Sequence, residues 1–184
     1  MRSTAPENVA QHSFQVAALA HMLCSIGNVH FGRSLNADRA AVMALFHDAT
    51  EVFTGDIATP VKHNNPRLLS SFRDMERAAA ERLTSMIPPE LDAVYAPLLQ
   101  PQDSPAGSED AGLLPYVKAA DRLDAYLKCL WEVAAGNREF AAAKEQTLAK
   151  LKALELQEMD YFLAHMAPSF EMSLDEMSDG MNRD

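Results

Sequence analysis

Apolar residues recur along this chain at spacings of three and four, the period of one helix face, while β-branched clusters are few. The pattern predicts an all-α protein. A first helix is expected from about Val9 to Ser25, with Asn8 as N-cap and Gln11 as its capping-box partner, burying His12, Val16, Leu19 and Leu23. A second helix should start after Asn36 and run through Ala40 to Phe46, a stretch apolar on every side and so expected to be a central helix surrounded by protein. Thr54-Gly55-Asp56 and Thr59-Pro60 are turn chemistry, and Asn65-Pro66 then restarts a helix that must end before Pro88-Pro89. A short helix over Glu90 to Leu99 leads into a polar Pro/Ser/Gly segment at 100–108, read as an exposed loop. Two long helices are expected after it, about Leu113 to Ala135 and Arg138 to Met166, with Gly136 in the left-handed position between them. The acidic tail after Pro168 should be peripheral, and no solenoid repeat is evident.

At 184 residues, with 48% hydrophobic and 23% charged residues, the chain has the size and composition of a single folded domain over 1–184. Its net charge of -10 repels a polyanion, which argues against a nucleic-acid polymer as partner. The apolar run Ala40 to Phe46 falls far short of the ~20 residues a membrane helix needs. The N-terminal residues lack the apolar core of a secretory signal, so a cytoplasmic location is expected. Cys24 and Cys129 lie in apolar helical contexts and are expected to be reduced core thiols.

The segment from Gly27 to Gly32-Arg33-Ser34 has the glycine spacing of a phosphate-binding loop. Arg stands where Lys is required, however, and a helix precedes it instead of a strand. The informative stretch is His47-Asp48-Ala49-Thr50-Glu51, where three ionisable groups follow an apolar run. A buried carboxylate must meet a cation, a metal or a set of donors, and the neighbours supply no cation. The stretch is expected to continue the same central helix, so that His47 and Glu51 share a face, with Asp48 a third of a turn away. Two readings stand at this point: a ligand set, or a wet C-terminal turn. His12, on an apolar face, reads by itself as a satisfied core histidine. Asp121 and Asp124 both flank the buried stripe of their helix, and periodicity does not choose between them.

Taken together, His12, the His47-Asp48 pair and a later Asp resemble the HD-domain metal-dependent phosphohydrolases. Longer blocks narrow the resemblance: Glu-Asn-Val-Ala-Gln-His-Ser, His-Asp-Ala-Thr-Glu-Val-Phe-Thr-Gly-Asp-Ile-Ala-Thr-Pro-Val-Lys, Val-Lys-Ala-Ala-Asp, Tyr-Leu-Lys-Cys-Leu and Gln-Glu-Met-Asp-Tyr-Phe are similar to the YfbR-like bacterial 5'-deoxynucleotidases. The resemblance implies a compact helical bundle that forms a homodimer and hydrolyses deoxyribonucleoside 5'-monophosphates. It implies His12, His47, Asp48 and Asp121 as ligands of one divalent ion of the cobalt, manganese or zinc class, and Glu51 and Asp56 as catalytic acids. A carboxylate orients or deprotonates the attacking water and a second acid protonates the leaving 5'-oxygen; Glu51 is expected in the first role and Asp56 in the second, the reverse assignment being the alternative.

An acidic protein that binds a phosphate dianion needs local cations, for which Lys62, His63, Lys118 and Arg2 are candidates, with Thr59 as a hydroxyl donor. The resemblance implies an additional N-terminal segment, usual in this family, with an Arg-Trp pair associated with the nucleotide site. This sequence starts after it, so either its start is internal to the gene product or the pocket is closed differently. Trp131, mid-helix, is expected in the core rather than as a substitute. The alternatives are another HD phosphohydrolase, either a nucleoside triphosphohydrolase or a phosphodiesterase, and a non-catalytic nucleotide-binding module.

Overall fold

The computed structural model describes residues 2–4, 6–55, 65–173, 175, 176 and 178, and among these it is helical with no strand. The helices are α1 (Val9–His30), α2 (Ala37–Phe46), α3 (Glu51–Thr54), α4 (Pro66–Thr84), α5 (Asp92–Leu99), α6 (Glu109–Ala134), α7 (Ala141–Lys152) and α8 (Gln157–His165), joined in places by single 3-10 turns. The core lies where α1, α2 and α6 pack together with α8 against their far end.

α1 begins as its capping box requires: the Asn8 side chain accepts from the Gln11 N–H at 3.0 Å and the Gln11 side chain accepts from the Asn8 N–H at 3.1 Å. It buries Val16, Ala20, Leu23 and Cys24 completely and continues to His30, five residues past the expected end, because Ile26 and Gly27 still face the core. Asn28 then braces the connection into α2, donating to the Leu35 carbonyl at 2.8 Å and accepting from the Leu35 N–H at 2.7 Å.

α2 departs from expectation in two ways. Ala40, Met43 and Ala44 are buried, but Val42 and Leu45 are 38% and 47% exposed, so only one face is enclosed. The helix also stops at Phe46. His47, Ala49, Glu51 and Val52 each bond back three residues instead of four, a tightening toward 3-10 geometry before α3.

α6 starts at Glu109, four residues early, with Ser108 as N-cap, and is tied to α2 by a two-pronged Arg39–Asp110 pair at 2.7 and 2.6 Å. Gly136 takes φ 86 as expected. The anticipated last long helix is broken: α7 ends at Lys152, Glu155 adopts φ 52, and α8 restarts at Gln157. Leu151, Met159 and Phe162 reach the same core from either side of the break. Trp131 is not a core residue, being 41% exposed with its ring 5.9 Å from Phe170. Cys24 and Cys129 are buried and free.

The false phosphate loop has a structural purpose. Glu158 on α8 is fully buried, and its Oε1 accepts from the Arg33 Nε–H and the Tyr116 hydroxyl, each at 3.2 Å. Arg33 therefore neutralises a core carboxylate, and Gly27 makes room for it. A Cβ at Gly27 would sit 2.9 Å from Glu158 Oε1 and 3.2 Å from both Arg33 and Leu35. Gly27→Ala is expected to destabilise the fold by about 1–3 kcal/mol through overpacking, despite the better helix propensity of alanine. Thermal and denaturant unfolding of the purified variant checks this.

Candidate metal centre and active site

Three elements bring their polar residues to one point. α1 supplies His12 from its first turns, the tightened turn after α2 supplies His47 and Asp48, and the middle of α6 supplies Asp121 and Asp124. His12 Nε2 lies 3.4 Å from both Asp48 Oδ2 and Asp121 Oδ1, while His47 Nε2 lies 3.1 Å from Asp48 Oδ2. The two imidazole rings are 5.2 Å apart between centroids, and His12, His47 and Asp121 offer donor atoms that all fall within 4.8 Å of one another.

Each imidazole is held from behind. His12 Nδ1 donates to Asp124 Oδ2 at 2.8 Å, and His47 Nδ1 donates to the Ala44 carbonyl at 2.7 Å. Both contacts fix the tautomer that directs an Nε2 lone pair into the centre. Asp124 is 2% exposed, and Gln15, with its amide nitrogen toward the carboxylates, donates to Asp124 Oδ1 at 2.7 Å and to Glu7 Oε1 at 3.2 Å. Asp121 and Asp124 thus divide the work that the sequence pattern left undecided. One faces the centre and the other orients a histidine.

The electrostatics are those of a cation site. The carboxylates of Asp121, Asp124 and Asp48 push the His12 imidazole up to about 12 against the opposing effect of burial. Burial disfavours the His47 cation, yet Asp48 outweighs it and raises the ring above its ordinary value. Burial also works to raise the Asp48 carboxyl, but His12 and His47 hold it well below the usual carboxylate range. Asp124 is raised by burial in spite of His12. A divalent ion bound here would compensate the same carboxylates that raise the two imidazoles.

A fit test for such an ion comes from His47. Its Nε2 is buried and has no aligned hydrogen-bond partner among the described residues, although Asp48 Oδ2 is close. A buried acceptor aimed at a cluster of carboxylates and left without a donor suits a metal ligand. Two imidazoles with two carboxylates form a donor set that a borderline divalent ion accepts.

Asp124→Ala is expected to weaken divalent-metal affinity about 10–100-fold, since His12 loses the acceptor that fixes its ring. Titration against a competing chelator measures the loss, and activity should return at excess metal.

The remaining site residues are placed unequally. Glu51 is half-buried at the start of α3, its N–H bonded to the Asp48 carbonyl at 3.0 Å. The tight turn sets it apart from the His47 face, because residues four apart diverge by roughly 120° in 3-10 geometry where an α-helix would nearly align them. Lys118 lines a cavity of about 490 Å3 that also reaches His47 and Asp121. Arg2 is not brought there. Its N–H bonds Glu139 at 2.9 Å and its carbonyl accepts from Asn137 at 2.8 Å, beyond Glu132 on α6, which is itself roughly 17 Å along the helix from Asp121. Asp56, Thr59, Lys62 and His63 lie outside the described residues. Sequence reasoning missed Asp124 as the orienting group and two cavity arginines, Arg73 and Arg77.

The fold and this His/Asp centre define the class of HD-domain phosphohydrolases. The crystal structure of such an enzyme from Listeria innocua matches with a TM-score of 0.74 and 26% identity, over 92% of this chain and 79% of that one. Within the class, the chain belongs to the YfbR-like 5'-deoxynucleotidase family, whose sequence model matches residues 1–170. It is 48% identical over 178 residues to the 5'-deoxynucleotidase YfbR of Escherichia coli O1:K1, covering 97% of this chain and 87% of that protein. The 5'-deoxynucleotidase VP0926 of Vibrio parahaemolyticus is also 48% identical, over 97% of this chain and 89% of that one.

Proposed function

We propose that this protein is a metal-dependent 5'-nucleotidase that hydrolyses deoxyribonucleoside 5'-monophosphates to the deoxynucleoside and phosphate. The observation that carries the reading is the buried, unpartnered His47 Nε2 facing Asp48, within reach of His12 and Asp121. His12, His47, Asp48 and Asp121 would hold one divalent ion of the cobalt, manganese or zinc class. Such an ion supplies charge neutralisation at phosphoryl oxygens and a more acidic water near neutral pH.

The chain's own residues account for the rest. Asp124 and the Ala44 carbonyl fix the two imidazoles, and Glu51 orients the attacking water and takes its proton. Asp56 is assigned to protonation of the departing 5'-oxygen, and Lys118 to the substrate's negative charge from the cavity wall.

The test is phosphate release from deoxyadenosine monophosphate with chelator and with added cobalt, manganese or zinc. Release that depends on metal supports the reading. A triphosphate product from a nucleoside triphosphate, or cleavage of a phosphodiester in preference to the monophosphate, points to the other phosphohydrolase reactions. No turnover with any metal points to a binding module.

We further read the chain as a cytoplasmic homodimer. No helix among the described residues is long and apolar enough to cross a membrane. Leu45, Val52 and Phe53 are 47%, 72% and 53% exposed in consecutive elements, an apolar surface suited to a second copy. Sedimentation of the purified protein tests the dimer.

A further inference from the structure

The cavity beside the centre raises a problem of charge. The three carboxylates in contact with His12, those of Asp48, Asp121 and Asp124, outweigh the two charges of a divalent ion. The whole chain carries -10, so its long-range field also opposes an anion. A phosphate dianion entering this site needs cations that the ligand set does not contain.

The cavity holds them. One wall is the face of α4 that presents Arg73, Glu76 and Arg77, spaced three and four apart. Leu114, Val117, Lys118 and Asp121 of α6 line the same cavity. Met43 and Val117 give it an apolar floor, and Gln102 stands at one side. Arg33, Arg39, Lys128 and Lys144 elsewhere are engaged by Glu158, Asp110, Glu7 and Glu171. Arg73, Arg77 and Lys118 make no ion pair among the described residues, and they share a cavity that opens onto His47 and Asp121.

Resting on the nucleotidase reading above, we infer that Arg73 and Arg77 of α4 are substrate-binding residues that, with Lys118, offset the carboxylate-rich centre and draw the phosphomonoester into the cavity. The guanidinium is suited to this because it stays charged and presents planar paired donors to phosphate oxygens. The apolar floor fits the nucleoside. The role is one of binding and not of bond cleavage, so it belongs in KM.

The experiment uses the metal-loaded protein and deoxyadenosine monophosphate. Arg73→Ala and Arg77→Ala should each raise KM about tenfold, and more in combination, with kcat within a few-fold and metal content unchanged. KM of the wild type should rise with salt, and that rise should flatten in the double variant. Inhibition by inorganic phosphate should weaken in parallel, while inhibition by uncharged deoxyadenosine should change little. Arg82→Ala, on the same helix outside the cavity, should leave KM unaltered. Arg73→Gln with Arg77→Gln keeps side-chain length and serves if the alanine pair folds poorly. An unchanged KM and salt dependence in either double variant of an active enzyme overturns the inference alone. A wild type that releases no phosphate overturns the nucleotidase reading itself.

Discussion

Asp121→Ala is expected to remove bound divalent metal and to reduce phosphate release about a thousandfold or more, the several kcal/mol that a metal's charge stabilisation supplies. Asp121 Oδ1 lies 3.4 Å from His12 Nε2, and its residue shares a 4.8 Å donor cluster with His12 and His47. Without it only Asp48 remains to bring a carboxylate to the Nε2 side of the two imidazoles, Asp124 being on the Nδ1 side of His12. The fold should be little affected. The Asp121 side chain is 47% exposed, it sits in the interior of the 26-residue α6, and alanine is the best helix former. Metal content by elemental analysis and phosphate release separate this from unfolding, which circular dichroism would report. A variant that keeps stoichiometric metal would exclude Asp121 as a ligand.

What could be read from sequence was local chemistry. Asn8 with Gln11, and Asn65 with Pro66, carry their own start signals, and the helices begin there. The end of α2 was not legible. His47-Asp48-Ala49-Thr50 holds neither glycine nor proline, so no local residue marks the shift to bonds spanning three residues. The break at Glu155 likewise has no glycine, and arises because Leu151 and Met159 reach one core from two directions.

The site divides in the same way. His12 and His47-Asp48 stand out as polar groups in apolar runs, whereas Asp121 and Asp124 are three apart and differ only in which side of His12 they meet. Arg73 and Arg77 look like any solvated helix face until the cavity they share with α6 is seen. The spacing of Gly27 and Gly32 imitated a phosphate loop, whereas Gly27 gives room to Arg33 and its partner, a buried glutamate far off in sequence.

Glu51→Ala is expected to reduce kcat by about 10²–10⁴-fold, the usual contribution of a positioned acid–base group, while leaving metal bound. The reason lies in its placement. Glu51 follows Asp48 by one tight turn, and the Asp48 carbonyl accepts its N–H at 3.0 Å, so its carboxylate is carried on the same rigid piece of chain as a ligand. It is not one of the donors grouped with His12, His47 and Asp121. Removing it therefore takes a proton acceptor away without dismantling the cation site, the opposite of the Asp121 result. Glu51→Gln should behave similarly, since the amide keeps the shape and a hydrogen-bond acceptor but cannot take a proton. KM should stay near that of the wild type in both, because the cavity cations are untouched. Metal analysis with steady-state kinetics of the two variants checks the assignment. Full turnover in Glu51→Ala would remove this residue from the mechanism and leave proton transfer to another group.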